Sequence, residues 1–296
     1  MNLRHKLFSA FRIFGLLQIA MLAFYGNPAL ALVNRQVSYP DYYYISTQPQ
    51  ALMSSSDLSP AKTLASLFGN LSTNAVAAFN LMKWENAGKT LPDPKEPYDR
   101  DKHFGGWIDD SRDNNCLDTR GKILVRSSRV PVTYTNAQKC FVATGEWLDP
   151  YTNRIFRNAS DIQIDHFVPL KQAYVTGAWT WNRKARCLYG NYLFNEIQLL
   201  AVSGPENLRK SDNAPDEYMP LNKQIWCGYL ANWLKVKFIW NLVMTPPEAE
   251  GIAKLASALK CNAKDFQMTP AELQKQRSAI IANALYCDYA APHQPE

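Results

Sequence analysis

The sequence predicts an α+β protein stapled by disulfides, and three observations carry that reading. The first is the apolar content: 47% of 296 residues, enough to bury a core in one large domain or two small ones. The second is a change of pattern along the chain. Ile123-Leu124-Val125 and Val130 to Tyr134 look like short strands in the middle of the sequence. The last third instead spaces its apolar residues as helices do. The third is cysteine: six, at 116, 140, 187, 227, 261 and 287, an even number in a chain that opens like an export signal.

Arg4, Lys6 and Arg12 form a basic start, Ile13 to Phe24 is an uncharged apolar run, and Ala29-Leu30-Ala31 places small residues where signal peptidase reads. The run is shorter than the ~20 residues of a spanning helix. Residues 1–31 are therefore expected to be a cleaved signal peptide, leaving a secreted or periplasmic protein without a stable membrane anchor. The leader removes three bases and no acid. The formal charge of +6 falls to 29 bases against 26 acids, which excludes a histone-like polycation but not a local basic groove.

Residues 32–97 read as an accessory region and linker. Ser59-Pro60 caps an Ala- and Leu-rich stretch to about Lys83, and Gly88, Pro92, Pro94 and Pro97 punctuate the rest. Residues 98–245 form the main domain, rich in Trp, Tyr and Asp. Within it Gln224 to Val243 reads as a helix, with Trp226, Tyr229, Leu230, Trp233, Val236, Lys237 and Trp240 near helical spacing. Residues 246–296 read as a helical pair: Pro247 to Leu259, then a second helix opened by the capping-box sequence Thr269-Pro270-Ala271-Glu272. The sequential cysteine pairing, Cys116–Cys140, Cys187–Cys227 and Cys261–Cys287, is expected because each pair would close its own segment. A zinc site is disfavoured: there is no C-x-x-C, and beyond the leader the histidines are His103, His166 and His293 alone.

The stretch from Asp161 to Asp212 carries the chemistry. Gln163 to Leu170 reads Q-I-D-H-F-V-P-L, with Asp165 and His166 adjacent after a short strand and before a proline. An Asp-His pair alone is more often incidental. Here it is followed by N-E-I-Q-L-L-A-V-S, Asn195 to Ser203, and then by P-E-N-L-R-K-S-D, Pro205 to Asp212. This order resembles the HNH endonucleases, and more closely the branch typified by the C-terminal nuclease domain of the GmrSD restriction enzymes. Upstream, Y-D-R-D-K-H-F-G-G-W (Tyr98 to Trp107), C-L-D-T-R (Cys116 to Arg120) and G-E-W-L-D-P-Y-T (Gly145 to Thr152) extend the likeness. Downstream it continues through Pro215, Pro220, Trp226, Cys227 and Trp233.

The resemblance implies a ββα-metal core with added helices and a metal-dependent endonuclease acting on DNA, with RNA as a further substrate and little sequence preference. His166 would be the general base, since an imidazole of reference pKa ~6.5 accepts a proton near neutrality. Asp165, on the opposite face of the strand, and Asn207, on the helix that follows, would hold one hard divalent ion, Mg²⁺ first and Mn²⁺ second. The middle position, which holds the base in place, falls to Asn195 or Gln198, with Asn195 preferred. Arg209, Lys210 and Arg186 are the expected phosphate contacts. Many relatives carry an acid where this chain has Gln163. His103 is expected to be a surface or capping residue, Arg120 to pair with Asp118 or Asp109, and Trp179 and Trp181 to belong to the core. The competing reading is an exported binding or structural protein that keeps the fold without catalysis.

Overall fold

A computed structural model describes residues 93–113 and 115–290. The expected leader, the helices from Ser59 to Lys83, most of the linker and His293 lie outside the described residues. The fold is mixed helix and sheet with three disulfides. In chain order the elements are α1 (Arg100–His103), α2 (Thr119–Ser127), β1 (Thr133–Tyr134), β2 (Val142–Asp149), β3 (Arg154–Asn158), β4 (Ile162–His166), α3 (Leu170–Val175) and α4 (Arg183–Gly190). There follow β5 (Leu199–Ser203), α5 (Gly204–Lys210), α6 (Trp226–Ile239), α7 (Pro246–Ala258) and α8 (Pro270–Ala282). Strands β1, β2 and β3 form one antiparallel sheet, and β4 and β5 form a second.

The core explains one correction. Ile123-Leu124-Val125 lies in α2, not in a strand. Asp118 starts the helix by accepting the Gly121 N–H at 2.7 Å. Thr119 and Ile123, four apart, then face inward with Leu124, while Val125 faces out. An apolar triplet has no period of its own, and the cap decides it. Ile123 and Leu124 pack with Val142 and Trp147 of β2, Ile162 and Ile164 of β4, and Leu199 and Ala201 of β5. Trp147 also donates its indole N–H to the Leu124 carbonyl at 2.8 Å. Of the expected Val130–Tyr134 strand, only Thr133–Tyr134 pairs.

The C-terminal helices follow the sequence closely. α7 and α8 each open with a complete capping box, Thr245 with Glu248 and Thr269 with Glu272. A buried pair, Lys237 with Glu248, ties α6 to α7; Glu248 also accepts from the Trp233 indole at 2.5 Å. Among the described residues no helix is long and apolar enough to cross a membrane.

The disulfides are partly as expected. Cys116 pairs with Cys140, but Cys187 pairs with Cys287 and Cys227 with Cys261. The sequential assignment fails for the last four because the chain's end returns to α4. The Tyr286–Tyr289 turn lies beside that helix, where Lys184 meets Asp288 at 2.7 Å. Cys227, at the start of α6, meets the chain just after α7. Digestion under non-reducing conditions should therefore release one cross-linked peptide joining residues 187 and 287 and another joining 227 and 261. A 187–227 linkage would restore the sequential pattern.

Candidate active site

β4 and β5 pair as the second sheet, with α3 and α4 between them in the chain, and α5 follows β5 directly. The register sets Ile162 against Ser203, Ile164 against Ala201 and His166 against Leu199. Strand residues alternate faces. Ile162 and Ile164 point into the core, and His166 lies on their side. Gln163 and Asp165 lie on the other. α5 begins directly at the end of β5 with Pro205 in its first turn, a position where a missing N–H costs nothing. It runs back over Gln163 and Asp165. Asn207 and Lys210, three apart, share one helix face. They meet the strand as two rungs: Asn207 Nδ2 donates to Gln163 Oε1 at 2.8 Å, and Lys210 Nζ donates to Asp165 Oδ1 at 2.8 Å.

Asp165 is 3% exposed and Lys210 is fully buried. Lys210 also donates to the His166 carbonyl at 3.0 Å. The other carboxylate oxygen of Asp165 accepts the Tyr151 hydroxyl at 2.6 Å. Burial pushes the Asp165 carboxyl up, against the opposing pull of the Lys210 ammonium and the Tyr151 hydroxyl. Burial likewise pushes Lys210 down, with Asp165 opposing.

Tyr151 was missed in the sequence, although it lies in the Gly145–Thr152 motif. The turn between β2 and β3 delivers it. Asp149 accepts the Tyr151 N–H and the Thr152 hydroxyl, each at 2.8 Å, and Asn153 takes a left-handed conformation, φ 57°. Tyr151 is fully buried against Tyr229 and Tyr218, at centroid separations of 5.7 and 6.3 Å.

His166 is 8% exposed. Its Nε2 lies 2.9 Å from the Gly190 carbonyl. A carbonyl only accepts, so Nε2 carries the proton and Nδ1 keeps the lone pair. The ring lies flat on Trp107, 5.1 Å between centroids and 6° between planes. Burial lowers the imidazole pKa to about 3, with smaller contributions from Arg100 and Lys210, while the Gly190 bond opposes them.

Four expected residues are placed differently. Asn195 does not hold the base: its Oδ1 accepts the Ile197 and Gln198 N–H groups, and its Nδ2 donates to Gln276. Gln198, the other candidate, is fully buried. It donates to the Tyr189 carbonyl at 2.7 Å, one residue before the carbonyl that fixes His166, and accepts from the Trp240 indole. Lys210 is fully buried, with its ammonium donating to Asp165 and the His166 carbonyl, and so does not present itself to a phosphate. Arg209 pairs with buried Glu206 and lies 4.7 Å over the Tyr218 ring. Arg186 spends its guanidinium on the carbonyls of His103, Ala178, Trp179 and Trp181. Arg186 therefore braces the backbone.

Smaller expectations divide in the same way. Trp181 is buried, as expected of a core residue. Arg120 bonds the Ala159 and Ile162 carbonyls, not Asp118 or Asp109. His103 caps, accepting the Asp99 N–H at 2.9 Å, but it is buried rather than on the surface. Among the described residues no cluster of three or more His, Cys, Asp or Glu side chains could hold a metal.

With this geometry in hand, the comparisons with known proteins are specific. The family described as GmrSD restriction endonucleases, C-terminal domain, matches residues 118–255. The chain belongs to this family. The GmrSD match spans α2 through most of α7 and so contains Tyr151, Asp165, His166, Asn207 and Lys210. An uncharacterized secreted protein of Arthroderma benhamiae is 35% identical over 165 residues, covering 55% of this chain and 76% of that protein. No solved structure matches. Membership in a family of restriction-enzyme domains points to a nuclease, and the three disulfides fit an oxidising compartment.

Proposed function

We propose that this chain is an exported endonuclease of the HNH type. It hydrolyses phosphodiester bonds in DNA, and in RNA as a second substrate, with little sequence preference, using His166 and one divalent ion, Mg²⁺ first. The observation that carries this reading is the β4–β5–α5 unit. Asp165 and His166 are neighbours turned to opposite faces, and Asn207 sits on the helix packed over the Asp165 face. That is the arrangement a ββα-metal core needs.

His166 would take the proton of the attacking water at Nδ1, the nitrogen its Gly190 bond leaves with a lone pair. Trp107 and the Gly190 carbonyl fix the ring's plane and tilt before substrate arrives. A pKa of about 3 keeps the ring neutral at physiological pH, hence ready to accept. The negative charge of a bound phosphate raises it toward the range in which a general base works. Asp165 and Asn207 would hold the ion. Their donor chemistry fits: a carboxylate and an amide are hard oxygen ligands. The Asn207 amide oxygen accepts no hydrogen bond among the described residues. Asp165 is already matched to a positive charge, so an incoming ion must share its carboxylate with Lys210 or displace it. A divalent ion there supplies charge stabilisation on the phosphate and at the leaving oxygen.

The test uses purified protein without the leader. Incubated with plasmid DNA and Mg²⁺ or Mn²⁺, it should nick and linearise the plasmid, and EDTA should abolish the cleavage. Full activity in chelator would remove the metal from the reading. Absence of cleavage on DNA and RNA under all metals would leave a fold without the chemistry.

A further inference from the structure

We propose that Arg100 is a phosphate-binding residue of the His166 site, presented there on the face of Trp107. The inference rests on the nuclease reading above and names a substrate contact that the Asp165–His166–Asn207 set lacks.

Three observations lead to it. First, the Arg100 guanidinium lies 5.7 Å from the centroid of the Trp107 ring, and that same ring stacks flat on His166. One indole ring thus contacts both the guanidinium and the imidazole. Second, the backbone that carries Arg100 is fixed. Asp99 caps the α1 turn by accepting the Lys102 N–H at 2.9 Å, and its own N–H is held by buried His103. Gly105, at φ 80°, then turns the chain toward Trp107. Third, Arg100 is exposed and makes no ion pair or side-chain hydrogen bond among the described residues.

The third point separates Arg100 from the other cations of this region. Lys102 is paired with Glu96, Lys171 with Asp212, Arg209 with Glu206 and Lys210 with Asp165. Arg183 and Arg186 are bonded to backbone carbonyls. A guanidinium lying over an aromatic face keeps its N–H fork in its own plane, open to the two oxygens of a phosphate. A contact of this kind positions the backbone and reads no bases.

The experiment measures binding of two unrelated duplex DNAs in EDTA by fluorescence anisotropy over a salt series, with cleavage followed separately in Mg²⁺. Arg100→Ala should weaken binding equally on both duplexes and flatten the slope of log K against log salt by roughly 0.9. It should raise KM more than it lowers kcat. Arg100→Lys should recover the slope, because the charge remains. Arg157→Ala, removing an exposed arginine that β3 pairs with Glu146, should leave the slope unchanged and so controls for net charge. If wild type binds and Arg100→Ala shows the same affinity and slope, the Arg100 assignment is overturned and the nuclease reading stands. An equal loss in Arg157→Ala also overturns it, since the effect is then one of overall charge. If wild type neither binds nor cleaves nucleic acid, both readings fail.

Discussion

His166→Ala is expected to lower turnover on duplex DNA by about 10²–10⁴-fold, the usual effect of removing a general base. The structure limits what else the substitution can do. Among the described residues the ring makes one polar contact, Nε2–H to the Gly190 carbonyl, and one stacking contact, with Trp107. Neither Asp165 nor Asn207 depends on the imidazole, so Mn²⁺ affinity measured by calorimetry should survive in the variant. His166→Gln is the shape-conserving companion: it can still donate to Gly190 but has no nitrogen lone pair to accept a proton. It should be as slow as the alanine variant and closer to wild type in thermal stability. A pH profile tests the environment of the same residue. Burial lowers its pKa to about 3, so the acid limb of kcat/KM belonging to His166 should fall well below the ~6.5 of a free imidazole. Wild-type turnover in either variant would remove His166 from the reaction.

The parts of this site that were legible in the sequence are the local ones. Asp165 and His166 are neighbours on β4, so strand alternation alone turns them to opposite faces, and the three-residue spacing on α5 puts Asn207 and Lys210 on one helix face. The capping box of α8 was legible because it is complete within four residues. What failed depends on contacts far apart in the chain. Cys187 finds Cys287 because the last turn returns to α4, and no spacing rule encodes that return. Asn195 and Gln198 lie three apart before β5. Only the fold reveals that the first folds back on its own backbone while the second reaches the Tyr189 carbonyl. Tyr151 and Trp107 both lie within recognised motifs, yet their roles are set by what they touch across the sheet. Arg209 and Lys210 looked alike as basic residues beside a metal ligand. Helix geometry separates them: Lys210 is turned into the protein, and Arg209 is half-exposed on Glu206.

Lys210→Met is expected to destabilise the fold by about 3–5 kcal/mol, the cost of leaving a buried charge without its partner. Both members of the pair are almost free of solvent, at side-chain exposures of 0% for Lys210 and 4% for Asp165. Water therefore cannot take over the interaction, and among the described residues the Tyr151 hydroxyl is the partner that remains on the carboxylate. The urea midpoint of unfolding, measured in EDTA, should fall accordingly. A double variant, Asp165→Leu with Lys210→Met, removes both charges at once. It should be markedly more stable than Lys210→Met alone, because replacing a buried pair by apolar groups of similar volume is often close to neutral. If Lys210→Met unfolds at the wild-type midpoint, the pair contributes nothing and Asp165 is stabilised by other means. The same variants separate stability from metal binding. With the ammonium gone, Asp165 Oδ1 is freed for a divalent ion, and a ligand that binds only the folded state stabilises it by mass action. Mn²⁺ should therefore raise the midpoint of Lys210→Met by more than it raises that of wild type, and should leave the double variant unmoved. An equal rise in the double variant would place the ion away from Asp165.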